Sequence, residues 1–274
     1  MRLSPAPFVA ALFLAGCPAE VAPPPEPVIE QPTTVEPAPA PAPVAAEDRL
    51  PVPSPNEIQR ALTAAGIDTQ LATLVQPRTL DLTRADEDTA AVRTGVVLAD
   101  MLLTVKTSSN DQLLGQIDAI RTGMGQLGGG TDIDSTLRDI RERVASNAVT
   151  RDELLAELEL LSGAVIPELE FNGRSRVVPL IQAGSWLEAA NLVSKAVKAA
   201  GRSEAADSIL KQPEVVGYFK RYVEAHGTET PAAITTTLVD SLTRLSTVAS
   251  KGEPLAAEDI DTVASTTDAV LSLL

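Results

Sequence analysis

Ser54-Pro55-Asn56-Glu57 opens a pattern that repeats to the C-terminus and decides the fold class. Ser at the N-cap, Pro at the first helical position and Glu three residues after the cap form a capping box. Its side chains satisfy amides that the start of a helix leaves unpaired. Ile58, Leu62 and Ala65 follow at helical spacing, and Gly66 ends the run. The same order of starter, apolar period near 3.6 and Gly or Pro then recurs. It predicts a short helix holding Leu71, Leu74 and Val75, then helices at about 84–107, 110–127, 133–147, 151–164, 185–200, 203–211, 213–226, 231–250 and 256–273. Thr150 and Glu153 form a second capping box. Pro213 and Pro231 take first-turn positions, while Gly201, Gly227 and Gly252 lie at ends. No run alternates strictly enough to demand a strand, and Thr235-Thr236-Thr237 sits inside a helical apolar period. The expected fold is all-α, an irregular helical bundle over residues 54–274.

Within it, the stretch Gly95 to Val105 is apolar on nearly every side, which predicts a buried central helix rather than a surface one. It is too short to span a bilayer. Asp100 lies in its middle, and a buried carboxylate must find a cation, hydrogen-bond donors or a proton. An arginine from a neighbouring helix is the expected partner; an unpaired acid would instead mark a site. Two other segments differ in sign. Residues 151–170 set Asp152, Glu153, Glu157, Glu159, Glu168 and Glu170 against Arg151, whereas Arg174, Arg176, Lys195, Lys198 and Arg202 dominate 172–202. The simplest expectation is that these segments lie side by side and neutralise one another.

The N-terminal part is a different material. Thirteen prolines fall between Pro18 and Pro55, mixed with Ala, Val and spaced glutamates. Such a segment favours extended polyproline II conformations and buries no core, so 17–53 reads as a tether with a reach of roughly 120 Å at ~3.1 Å per residue. Ahead of it, Arg2 precedes the apolar run Phe8 to Leu14, which ends in the small residues Ala15 and Gly16 and then Cys17. Leu14-Ala15-Gly16-Cys17 resembles the lipobox of bacterial lipoproteins. The resemblance implies a signal peptide over 1–16, cleavage between Gly16 and Cys17, and acylation of Cys17. Acyl chains contribute about 0.8 kcal/mol per buried methylene, enough in combination to hold the chain on a membrane. Pro18 stands where an Asp would be the sign of inner-membrane retention, so the expected location is the cell envelope, at the outer membrane and facing the periplasm.

Cys17 is the only cysteine, which leaves no thiol for a disulfide, metal site or nucleophile once it is acylated. The net charge of −15 argues against nucleic acid as a partner. His226, the only histidine, precedes Gly227 at a helix end, where it serves as a cap. Ser208-Ile209-Leu210-Lys211 matches an S-x-x-K motif without its companions. Gly128 to Asp134 lacks the third acid and terminal Glu of a calcium loop, so Thr131 or Asp132 is the simpler N-cap and no metal or cofactor is expected. Trp186, with Ala189, Ala190 and Val193 behind it, has no second copy at repeat spacing. Val215, Phe219, Tyr222 and His226 share a helix face that reads as core, leaving Tyr218 pointing elsewhere. Trp186 and Tyr218 are therefore the candidate partner surface, since aromatics dominate contact energy.

Three stretches, Ala91 to Asp100, Leu180 to Leu187 and Leu210 to Val216, resemble segments of uncharacterised, exported all-helical bacterial proteins. That resemblance spans roughly 55–226 and implies a shared helical fold without a known activity. The expected function is non-enzymatic: a membrane-anchored interaction or structural module with an envelope protein as partner. A carrier holding a small apolar ligand between its helices is the alternative, with an enzyme third.

Overall fold

A computed structural model describes residues 52–67, 71–76, 78, 80–83, 85–226 and 232–274; Gly16, Cys17 and the proline-rich tether lie outside them. The fold is all-α. In chain order the helices are α1 (Pro55–Ala64), α2 (Glu87–Thr104), α3 (Asn110–Gln126), α4 (Thr131–Ala145), α5 (Arg151–Phe171), α6 (Val178–Ala200), α7 (Asp207–Leu210), α8 (Pro213–His226), α9 (Ala232–Ala249) and α10 (Ala257–Leu271). Among the described residues there is no strand, and no helix is long and apolar enough to cross a membrane.

Local chemistry sets the helix starts. Ser54 accepts from the Glu57 amide while Glu57 accepts from the Ser54 amide at 2.7 Å, and Thr150 and Glu153 repeat the arrangement. Ser109 and Gln112 add a third capping box at the head of α3. Gly66 and Gly201 take left-handed φ angles of +68° and +65°, where a side chain would be strained, and so end α1 and α6.

Proline accounts for the main departures from the expected boundaries. α5 does not stop near 164 but continues through Pro167 to Phe171. Pro167 and Gly163, whose carbonyl loses its amide partner, are both exposed, so water can serve that carbonyl. Leu161, Val165 and Leu169 carry the buried face past the proline. α6 begins at Val178 rather than 185 because Pro179 occupies its first turn, where the missing amide is not needed. The segment 203–211 splits into a 3-10 turn (Ser203–Ala205) and α7. Residues Leu71–Thr73 likewise form only a 3-10 turn, and Gly130 rather than Thr131 or Asp132 is the N-cap of α4.

α2 is the buried central helix that its composition predicts, every residue from Thr94 to Thr104 being buried. It pairs most extensively with α6, and the two run in the same sense. Gly184 faces the Val92 carbonyl and Val96 amide, Gly95 faces Ile181 and Ser185, and Ser185 Oγ donates to the Gly95 carbonyl at 2.9 Å. A Cβ on either glycine would fall inside the partner helix's main chain. Two cores flank this crossing. One joins α2 through Leu98, Met101 and Leu102 to the buried faces of α3, α4 and α5. The other joins Val96 and Leu103 of α2 to α1, most of α6 and helices α7–α10.

The buried α6–α10 contact is given a register by Asn191, whose amide donates to Thr267 Oγ1 at 2.9 Å and to Asp268 Oδ1 at 2.8 Å. Arg174, Arg176, Lys195 and Lys198 of the basic segment form ion pairs with acids outside 151–170, and Arg202 donates to the Ala65 carbonyl. Arg174 and Arg176 meet Glu87, with Asp88 also on Arg176, while Lys195 and Lys198 meet Asp268 and Asp261 of α10. The chain's path brings this segment to the start of α2 and to α10, and charge follows proximity.

Candidate functional site

Of the two candidate partner residues, Trp186 is misassigned by the sequence. It is 4% exposed, packs on Phe219 with ring centroids 6.2 Å apart, and donates through Nε1 to Gln212 Oε1 at 3.2 Å. A large indole between α6 and Phe219 of α8 excludes more water inside than it could outside. Tyr218 is half-buried, packs edge-on against Phe219 at 5.5 Å and belongs to the same core. Val215 and Phe219 are buried as expected, whereas Tyr222 is half-buried and donates its hydroxyl to the Arg176 carbonyl. The side chain of His226 lies outside the described residues, as do Gly16 and Cys17.

Asp100 is 7% exposed and does have an arginine, though from the segment between α1 and α2 and not from a helix. Arg78 Nη2 lies 3.2 Å from Asp100 Oδ2 and also pairs with Glu188, a residue of α6 that is 0% exposed. One guanidinium therefore bridges two carboxyls, one from each central helix. Burial pushes the Glu188 pKa up to about 9, the Asp100 charge and hydrogen bond push in the same direction, and Arg78 opposes them. Burial also raises Asp100, against the hydrogen bond from Glu188 and the charge of Arg78. Burial thus holds a proton on Glu188 at neutral pH, so that Arg78 does not face two buried negative charges, and this is what makes the burial tolerable.

This triad could move a proton, but Glu188 is sealed from solvent and its arrangement is that of a clamp. It fastens Arg78, which precedes α2, to both helices of the α2–α6 crossing. Thr104 and Ser108 extend the polar seam, Thr104 Oγ1 donating to the Asp100 carbonyl and Ser108 Oγ to Thr104 Oγ1. Among the described residues no three His, Cys, Asp or Glu side chains are gathered as for a metal ion. In the glycine-rich segment, Asp134 is engaged by Arg121 and Arg138. Ser208 Oγ donates to the Ala205 carbonyl, and Lys211 pairs with Asp207.

Two solvent-facing features lie on or beside α5. A groove of about 320 Å³ runs beside α5, floored by Leu98 and Leu102 of α2 and Ile181 of α6, walled by Val165 and Ile166, with Val52 to Asn56 along its edge. Compared with family models, curated proteins and solved structures, the chain matches none. The site must therefore be read from its own geometry.

The second feature is on α5 itself. Leu154, Leu158, Leu161, Val165 and Leu169 point into the core, yet the opposite side is also apolar. Leu160 is 78% exposed and Phe171 is 88% exposed, the two most exposed large apolar side chains among the described residues. The sequence does carry a signal for this: neither residue lies on the face set by Leu154 and its helical successors, so both are surplus to the core.

Proposed function

We propose that this chain is an envelope lipoprotein whose helical domain is a non-enzymatic interaction module. It is acylated at Cys17, anchored at the outer membrane and held into the periplasm by the 17–53 tether. The observation that carries the interaction reading is the apolar outer face of α5. A surface helix that keeps Leu160 and Phe171 in water forgoes roughly 1.5–3 kcal/mol of burial for each side chain, which a partner would recover. The lipobox and the lone cysteine support the anchor.

A photo-crosslinking residue at position 171, introduced in intact cells, is expected to give a discrete adduct. The same residue at Glu142, an exposed polar position on α4, should give none. Equal labelling at both positions would reject a specific surface. Cys17→Ala should separately abolish radioactive palmitate incorporation and release the chain from membranes or leave it unprocessed; an unlabelled wild type in an acylating host would remove the anchor. The groove beside α5 favours a second reading, an apolar-ligand carrier. That reading requires a co-purifying lipid, seen by native mass spectrometry of protein isolated without detergent.

A further inference from the structure

The groove beside α5 is edged by consecutive residues, Val52 to Asn56, and the described chain begins at that edge. From Leu50 to Pro55 every residue is a proline or precedes one. A proline fixes its own φ and holds the residue before it in extended conformations, so this stretch is stiff before it touches anything. Ser54, with φ −70° and ψ 153°, has the polyproline II geometry that results.

The course of the chain along the groove follows from what its two ends share. A neighbouring cavity, lined by Arg60 and Leu155, has Asn56 and Glu159 in common with the groove, but neither Val52 nor Ile166. Followed back from Asn56, the chain therefore runs away from Glu159 and toward Ile166. The lengths agree: three extended residues from Pro55 back to Val52 cover about 9 Å, and seven helical residues from Glu159 to Ile166 cover about 10 Å. Whatever precedes Val52 leaves the body beside the groove's apolar floor of Leu98, Leu102 and Ile181.

We propose that Leu50 of this same chain fills the groove, so that the root of the tether is a strap laid on the junction of α2, α5 and α6. Leu50 is the only leucine of the 17–53 tether. It lies outside the described residues, two positions before Val52, which confines it to within about 7 Å of that edge. So short a link gives an effective concentration of roughly millimolar or more, and the alternating prolines remove much of the entropy that docking would otherwise cost. No residue from Leu50 to Pro55 is charged, which suits an apolar floor. A shallower groove of about 280 Å³ also touches Val52 and Pro53, but Glu57, Ser208 and Gln212 line it. An apolar ligand has to expel Leu50 to enter, so the tether controls access to the groove. This inference goes beyond the interaction-module reading and competes with the carrier.

The test uses the full chain bearing Cys17→Ala, so that every thiol is an introduced one. Leu50→Cys is combined with Ile166→Cys in the groove, or with Ser208→Cys in the shallower one, and oxidation is followed by thiol titration. A disulfide needs its Cβ atoms about 4 Å apart. Ser208 is exposed and Ile166 half-buried, so accessibility alone favours bridging to Ser208→Cys. Bridging to Ile166→Cys is instead expected to be about tenfold faster or more, with circular dichroism unchanged. Leu50→Asp, which an apolar site rejects, should raise affinity for the neutral dye Nile red about fivefold or more, whereas Val44→Asp should not. Equal bridging rates, or faster bridging to Ser208→Cys, would overturn the proposal. So would Nile red binding unchanged by Leu50→Asp, or bridges formed between two chains, which would give the groove to a second copy. Lipid co-purifying with the wild type, together with equal bridging, would establish the carrier and remove the strap. Preferential bridging without lipid does the reverse, and if neither is seen both fall.

Discussion

Arg78→Ala is expected to lower stability by about 3–5 kcal/mol near pH 8, the usual cost of breaking a buried ion pair by removing one partner. The guanidinium is the cation shared by Asp100 and Glu188, and without it any negative charge on the pair is buried without a cation. The variant can escape only by holding both carboxyls protonated, so its deficit should shrink as pH falls, where two neutral carboxyls can hydrogen-bond to each other. Urea melts near pH 8 and in acid measure this. A loss below about 1 kcal/mol at pH 8 would mean that the clamp contributes little to the fold.

The wild type should show the same linkage with a gentler slope. Glu188 titrates near 9 in the folded chain against an ordinary 4.5, and Asp100 is displaced in the same direction. Between those values the folded state holds a proton that the unfolded chain has released. Stability contributed by the cluster is therefore full below about 4.5 and declines as pH rises toward about 9. Glu188→Gln, which stays neutral and keeps a donor, should flatten that decline. The presence of Glu188 also revises the effect of Asp100→Ala. Treated as the lone acid on Arg78, Asp100 would be worth about 3–5 kcal/mol; Glu188 can instead ionise and take its place, so the loss should be smaller than for Arg78→Ala.

These residues mark where the sequence is legible and where it is not. Capping boxes are local chemistry, so Ser54–Glu57 and Thr150–Glu153 announce their helices without knowledge of the fold. The burial of α2 is equally local, since a helix apolar all round has no other place to go. From that burial the need of Asp100 for a cation follows. Which cation does not follow: Arg78 comes from an irregular segment, and Glu188 looks like any charged residue on a helix until α6 is laid against α2. The two prolines fail differently. Pro167 and Pro179 both lie outside the expected helices 151–164 and 185–200, and the exposure of Gly163 and Pro167, or the first-turn position of Pro179, explains why each is inside one. Trp186 was placed outside by the expectation that aromatics seek partners, whereas its nearest large partner is Phe219 of the same chain. The face of α5 was written in the leucine excess of 154–161, but periodicity asks which residues face the core and passes over those left behind.

The remaining large effect belongs to the α2–α6 crossing. Gly95→Ala would place a Cβ against the Ile181 carbonyl, and Gly184→Ala one against the Val92 carbonyl. Both neighbours are main chain within helices, so neither can rotate away as a side chain would. The helices must separate instead, loosening Val96 and Leu103 from one core and Leu98 and Leu102 from the other. Each substitution should cost about 3 kcal/mol or more, at or beyond the upper end of ordinary overpacking. Gly115→Ala is the control: it lies within α3, is exposed, and has no heavy atom near its would-be Cβ. There alanine should raise stability by about 0.5–1 kcal/mol, through the lower entropy of its unfolded state. The double variant Gly95→Ala/Gly184→Ala discriminates further. The two methyl groups push on the same pair of helices a short distance apart, so once one has opened the crossing the second meets less resistance. Its loss should fall short of the sum of the single losses by more than about 0.5 kcal/mol. Strict additivity in urea melts would show that the two glycines relieve separate clashes, and that α2 and α6 can yield at one end while remaining closed at the other.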